Sequence, residues 1–141
     1  MENFIIREII KEDYDYGFTE LMYEFTNYNY QISKEEFCKY IDKNNCKIII
    51  IYSKKDNRII GSGTIFKIDK IHNNPIGLIE DVIITKTYRS IGLGKLIIDK
   101  LIQIGKNDFG CYKIILNCLE KNIGFYEKCG FSCVGVEMKF I

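Results

Sequence analysis

Arg89, Gly92 and Gly94 form an Arg-x-x-Gly-x-Gly turn that runs straight into Lys95. Two glycines leave the backbone N–H groups of the turn bare of side chains, and a helix starting there adds the positive end of its dipole. The segment from Arg89 to Lys95 can therefore cradle a pyrophosphate, with Arg89 and Lys95 supplying extra positive charge. Upstream lies Glu80-Asp81, a carboxylate pair able to accept a proton. Downstream, Asn122 and Tyr126 are four residues apart, which puts an amide and a phenol on one face of a helix.

Two other phosphate motifs do not fit the same turn. A nucleoside-triphosphate loop needs a glycine where Arg89 stands and a hydroxyl where Leu96 stands. A dinucleotide fingerprint needs a third glycine at Ile97, and Asp99 follows too soon to reach a ribose.

The elements that must position these groups follow from periodicity. Phe4 to Ile10 reads as a first strand and Asp13 as the opening of a helix, with Phe18, Leu21, Met22 and Phe25 at helical spacing. The aromatic-rich segment from Tyr23 to Tyr30 follows and could line a pocket. Ser33-Lys34-Glu35-Glu36 is a capping box that starts a second helix, with Phe37, Tyr40 and Ile41 on its inner face. Cys46 to Ser53 and Arg58 to Ile68 read as a hairpin, Asp69 to Ile76 as a loop, and Gly77 to Thr85 as the strand that enters the glycine turn. Leu93, Leu96, Ile97, Leu101 and Ile104 form one helical face ending near Gly105 to Gly110. Tyr112 to Cys118 reads as a buried-type strand, Asn122 to Cys129 as a short helix stopped by Gly130, and Phe131 to Phe140 as a last strand. The predicted order is βααβββαβαβ, a mixed α/β sheet that splays where the Glu80–Thr85 strand parts from the Tyr112–Cys118 strand.

The Arg-x-x-Gly-x-Gly turn resembles the acetyl-CoA loop of the Gcn5-related N-acetyltransferases. Asn122 through Phe125-Tyr126-Glu127-Lys128-Cys129-Gly130-Phe131 resembles the segment of that superfamily in which an Asn and a Tyr face the cofactor. Ile79-Glu80-Asp81-Val82, Tyr88-Arg89 through Lys95, Gly110 through Leu116, Glu120-Lys121-Asn122 and Gly135-Val136-Glu137-Met138 are similar, more closely, to the eukaryotic glucosamine 6-phosphate N-acetyltransferases. That resemblance is dense from about Gly77 to Met138. It implies acetyl transfer from acetyl-CoA to the amine of glucosamine 6-phosphate, on the path to UDP-N-acetylglucosamine, by a homodimer. By motif position it implies acetyl-CoA contacts from Val82, Ile83, Ile84, Arg89, Ser90, Ile91, Gly92, Leu93, Gly94, Lys95, Asn122 and Tyr126. It implies sugar contacts from Thr26, His72, Glu80, Asp81, Val82, Tyr112 and Lys113, with Glu80 receiving the proton and Tyr126 facing the departing sulfur.

Three positions depart from that family. Its strand Asp near the acceptor is Asn117 here, which accepts a hydrogen bond but takes no proton. The His before Ile-Glu-Asp is Leu78. The Arg near the family's C-terminus, which reaches the partner's sugar phosphate, has no counterpart, and Lys139, two residues earlier on the same strand face, is the available substitute.

Composition narrows the alternatives. With 141 residues, 47% of them hydrophobic, the chain has the length of one domain spanning 1–141. A net charge of +1 argues against a nucleic-acid binder. No basic n-region precedes an apolar core and no apolar run approaches a membrane span, so a cytoplasmic protein is expected. Cysteines 38, 46, 111, 118, 129 and 133 are expected as reduced, mostly buried thiols. Zinc is not expected, since His72 is the one imidazole and no Cys-x-x-Cys occurs.

Overall fold

The computed structural model describes residues 3–28 and 30–141; Met1, Glu2 and Asn29 lie outside the described residues, and with them the first residues of the N-terminal reading and one residue of the 23–30 segment. Its five strands are β1 (Phe4–Glu8), β2 (Cys46–Ser53), β3 (Arg58–Lys70), β4 (Asn73–Ile84) and β5 (Lys113–Leu116). They lie side by side in that order, antiparallel except for the parallel pair β4–β5. The helices are α1 (Phe18–Thr26), α2 (Lys34–Ile41), α3 (Leu93–Gln103) and α4 (Ile123–Lys128).

Alternation along β2 builds two cores from one apolar run. Ile49 and Ile51 face α3, where Leu93, Ile97, Ile98 and Leu101 are buried. Ile48 and Ile50 face the other way, toward Phe18 and Leu21 of α1 and Phe37 of α2. Each fully buried side chain of this size is worth about 1.5–3 kcal/mol, so helices on both faces are what a strand reading Ile-Ile-Ile-Ile requires. Gly63 on β3 lets α3 come close, since a Cβ there would meet Ile97 at 2.6 Å. Ser33 caps α2 as its sequence indicates, its hydroxyl accepting from the Glu36 amide at 3.1 Å, but the reciprocal half of the box is replaced: Glu36 Oε1 accepts from the Ser33 hydroxyl at 3.0 Å instead of from the Ser33 backbone amide.

Three expectations are corrected. Asp13 does not open an α-helix; Arg7 grips it with two bonds of 2.8 Å and the Ile10 amide donates to it, so residues 11–15 make a 3₁₀ turn and α1 starts at Phe18. Asp69 to Ile76 is not a loop; β3 and β4 pair to Lys70–Asn73, leaving a two-residue turn at Ile71 and His72. Pro75 is accommodated because Asn74 and Pro75 share the place opposite Asp69, a bulge where no ladder donor is needed. Phe131 to Phe140 is no strand within this chain: its alternating Val134, Val136, Met138 and Phe140 are 90–100% exposed. The βααβββαβαβ order thus holds up to its final β.

Candidate active site

Parallel pairing of β4 with β5 runs from Ile76–Lys113 to Ile79–Leu116 and stops there. Glu80 and Asn117 are the next residue on each strand, so they flank the mouth of the resulting fork. Register with β3 passes from Thr64–Glu80 to Ser62–Ile83, which places both Asp81 and Val82 opposite Gly63 in a bulge. Asp81 is left-handed there (φ 54°), a conformation that Asp tolerates better than most residues. The bulge follows directly on the last β4–β5 pair, so the two strands are not hydrogen-bonded beyond Ile79–Leu116, where the sequence reading put the splay.

Above the fork, β4 passes through buried Thr85 and a 3₁₀ turn at Lys86–Tyr88 into Arg89, and α3 begins at Leu93. Ser90 (φ 68°) and Gly92 (φ 93°) are both left-handed, which turns N–H groups of the loop into a shared concavity. Arg89 Nε donates to the Ile84 carbonyl at 2.8 Å, and Lys95 pairs with Asp99 at 2.9 Å.

A groove of about 500 Å³ joins these parts. It is lined by Val82 and Ile84 of β4, by Arg89, Ser90 and Gly92 of the turn, by Gly94 and Lys95 at the start of α3, by Asn122 just before α4 and by Tyr126 of α4. Nine of the expected cofactor residues thus share one cavity. Three others do not present side chains to it: Ile83 is buried against α1 and α2, Leu93 lies in the α3 core, and Ile91 is half exposed outside. Tyr88, Phe125, Lys128 and Cys129 also line the groove. The last three were legible in retrospect, because 125 and 129 continue the helical face of 122 and 126. The shape and charge suit an elongated anion: an N–H concavity and cations at one end, apolar walls at the other.

Tyr126 sits where this groove meets a second cavity of about 470 Å³ between β5 and the 131–137 segment, which Asn117 also lines. Its ring is held edge-on by Phe125 at 4.9 Å and Phe131 at 6.1 Å. Burial, then the neighbouring Cys118 and Cys129, push its hydroxyl above the usual phenol range. Desolvation also raises the carboxyls at the fork: Asp81 by that cause, Glu80 by that cause and then by Asp81 and Glu137. Each is thereby a stronger proton acceptor than an ordinary surface carboxylate.

The expected sugar residues fall into separate groups. Glu80, Asp81 and Val82 are at the fork. Thr26 ends α1 and spends its hydroxyl locally, donating to the Met22 carbonyl at 3.0 Å and accepting from the Tyr28 amide at 3.1 Å. His72 is at the β3–β4 tip, and Tyr112 and Lys113 lie beside Pro75 and Ile76 near the same end of β4. At about 3.3 Å per residue, His72 lies roughly 20–26 Å from Glu80 along the strand, farther than one hexose phosphate spans. Tyr23, Phe25, Tyr28 and Tyr30 are exposed and line neither cavity. The six cysteines are all free; Cys46 and Cys111 are buried, Cys38 and Cys129 partly so, and Cys118 and Cys133 exposed, fewer buried than expected. Among the described residues no cluster of His, Cys, Asp and Glu could hold a metal ion, and no helix is long and apolar enough to cross a membrane.

Comparison with known proteins agrees with this geometry. The profile of the Acetyltransferase (GNAT) family matches residues 5–131. The chain is 37% identical over 134 residues to glucosamine 6-phosphate N-acetyltransferase 1 of Dictyostelium discoideum, covering 90% of this chain and 83% of that protein. It is 30% identical over 143 residues to the glucosamine 6-phosphate N-acetyltransferase of Candida albicans, covering 97% and 95%. The crystal structure of glucosamine-6-phosphate N-acetyltransferase from Arabidopsis thaliana superposes with a TM-score of 0.89 at 30% identity, over 98% of this chain and 97% of that one.

Proposed function

We infer that this chain, which belongs to the acetyltransferase (GNAT) family, is a glucosamine 6-phosphate N-acetyltransferase: it carries acetyl from acetyl-CoA to the 2-amino group of the sugar phosphate, on the path to UDP-N-acetylglucosamine. The observation that carries the reading is the fork, where a groove with an anion-binding loop at one end opens beside two carboxylates at the other. Residues 1–141 act as one catalytic domain, and its free thiols suit a reducing compartment such as the cytoplasm.

Acetyl-CoA is a substrate here. Its pyrophosphate meets the N–H groups and cations of residues 89–95, its pantetheine arm runs between β4 and α4 along Val82, Ile84 and Asn122, and its thioester reaches Tyr126. The amine nitrogen attacks the thioester carbonyl directly, the carbonyl oxygen takes a hydrogen bond from the Val82 amide, and the carbon–sulfur bond breaks without a covalent enzyme intermediate. An amine flanked by electron-withdrawing oxygens, like an α-amino group at about 7.7–8, costs only about 1–1.4 kcal/mol to deprotonate at pH 7. Glu80 therefore suffices as the proton's destination, through water, with Asp81 orienting the sugar and Asn117 serving as a hydrogen-bonding group.

The reading is tested by thiol release from acetyl-CoA against a panel of amines. Glucosamine 6-phosphate is expected to exceed glucosamine, a polyamine and a lysine peptide by at least about a hundredfold in kcat/KM. A better acceptor elsewhere in the panel would overturn it. The cradle makes a separate prediction. Gly92→Val strains a left-handed residue, and at Gly94 a Cβ alone already meets the Phe125 ring at 3.1 Å. Either change should weaken acetyl-CoA binding by about tenfold or more in calorimetry, and unchanged affinity in a folded variant would reduce the loop to a simple turn.

The working unit is a homodimer. β5 is an edge strand, paired on one side only, and across its open side lies the cavity bounded by residues 114–118 and 131–137. The exposed alternating tail is a strand without a partner in its own chain. A second copy supplies one, each tail pairing along the other's β5 edge in an isologous contact. Lys139, carried on the tail, is the cation offered to the sugar phosphate.

A further inference from the structure

The turn that launches the pyrophosphate loop is not held by its own residues alone: beside its internal bonds, Tyr88 N–H to the Thr85 carbonyl at 3.0 Å and Arg89 N–H to the Lys86 carbonyl at 3.4 Å, it is gripped from α1. Thr85, at the position that would cap the 86–88 turn, makes no side-chain cap bond; its hydroxyl instead donates to Glu24 Oε2 at 2.6 Å. The first amide of the turn, Lys86 N–H, donates to Glu24 Oε1 at 2.8 Å. Glu24 thus caps, from α1 and across more than sixty residues of sequence, a turn on the other side of the sheet edge. Its carboxylate also lies 3.8 Å from Arg89 Nη2. With Arg89 Nε committed to the Ile84 carbonyl, one edge of the guanidinium faces the protein and the other is left for a ligand. Arg58 completes the set, donating to Thr85 Oγ1 at 3.5 Å.

We propose that Glu24 is a positioning residue for acetyl-CoA: a strut from α1 that fixes the 86–88 turn and aims Arg89, so that the loop meets the pyrophosphate already in its binding shape. The inference rests on the acetyltransferase reading above. Desolvation works against the charge on Glu24, but the bonds from Thr85 and Lys86, with Arg89 and Arg58 nearby, outweigh it and hold the carboxyl below the usual glutamate range. The strut is therefore ionised throughout the neutral range. A carboxylate this near a pyrophosphate also repels it. Glu24 and Arg89 side chains are 31% and 53% exposed, so that repulsion is screened by solvent, whereas the two charge-assisted bonds that set the turn are directional and short. Preorganisation outweighs repulsion, and removing Glu24 weakens binding.

The test compares two acetyl donors, acetyl-CoA and S-acetylpantetheine, which lacks the pyrophosphate. With acetyl-CoA, Glu24→Ala should raise KM about tenfold or more with kcat within about twofold, and Glu24→Gln, which keeps acceptor atoms but no charge, should fall between variant and parent. With S-acetylpantetheine, kcat/KM of Glu24→Ala should stay within about twofold of the parent, since no group of that donor reaches the loop. Equal losses on both donors would show general damage to the fold and overturn the proposal, as would an unchanged or lowered KM for acetyl-CoA. A parent that releases no thiol from acetyl-CoA with any amine would overturn the acetyltransferase reading, and this inference with it; a parent that turns over normally while Glu24→Ala matches it overturns the inference alone.

Discussion

A protein cut back after Phe131 is expected to behave as a monomer that still binds acetyl-CoA within about threefold of the intact chain, yet acetylates glucosamine 6-phosphate at least about a hundredfold more slowly. Every residue that lines the cofactor groove precedes Gly130, and the cut spares Phe131, whose ring supports Tyr126 and whose amide donates to the Tyr126 carbonyl at 3.0 Å. What is lost is the exposed alternating tail, with Val134, Val136, Met138 and Phe140 as its apolar face. In the homodimer proposed above, a second copy buries that face, so removing it is expected to break the assembly and slow transfer to the sugar. Light scattering reports the mass and thiol release the rate. Val136→Lys in the 141-residue chain makes the same test without shortening it. A truncated protein that remained dimeric and fully active would assign the tail no part in assembly or catalysis.

The tail was the least legible part of the fold. Alternation at 134, 136, 138 and 140 suggests a strand, but a strand forms only against another edge, and within this chain residues 131–140 pair with none. Signals that act over a few residues were read well. β2 has the boundaries its apolar run suggests, and the Ser33 cap starts α2 where expected. Misreadings came where a distant residue took over a local one. Asp13 looks like a helix cap, yet Arg7 on β1 claims it; Asn73-Asn74-Pro75 looks like a loop, yet a bulge lets β4 absorb it.

The candidate site divides the same way. Its glycine turn, fork carboxylates and α4 face were visible as contiguous motifs, and nine expected residues share one groove. Glu24 was not visible, because a glutamate in the middle of an amphipathic helix has the local signature of a solvated residue and its partners lie at 85, 86 and 89. His72, Tyr112 and Lys113 carried a signal only through resemblance, and His72 lies at the far end of β4 from Glu80.

Tyr126→Phe should lower kcat by roughly ten- to a thousandfold, about 1.4–4 kcal/mol of transition-state stabilisation, with KM for acetyl-CoA nearly unchanged. The ring would stay in place, since its edge-on contacts with Phe125 and Phe131 need no hydroxyl. The hydroxyl itself acts as charge builds on sulfur. A phenol near 10 giving its proton to a thiolate near 8.5 is uphill by about 2 kcal/mol, and burial moves the Tyr126 hydroxyl further in that direction. In the proposed mechanism Tyr126 would therefore donate a hydrogen bond that strengthens through the transition state and keep its proton, with the thiolate protonated afterwards by water. The pH dependence separates the two roles. A lost proton donor is partly replaced by solvent acid, so the defect would shrink as pH falls from 9 to 6.5. A lost hydrogen bond leaves a constant ratio of variant to parent across that range, and the constant ratio is the expected result. Equal kcat in variant and parent at saturating substrates would remove Tyr126 from the chemistry and leave the fork carboxylates and the loop to carry it.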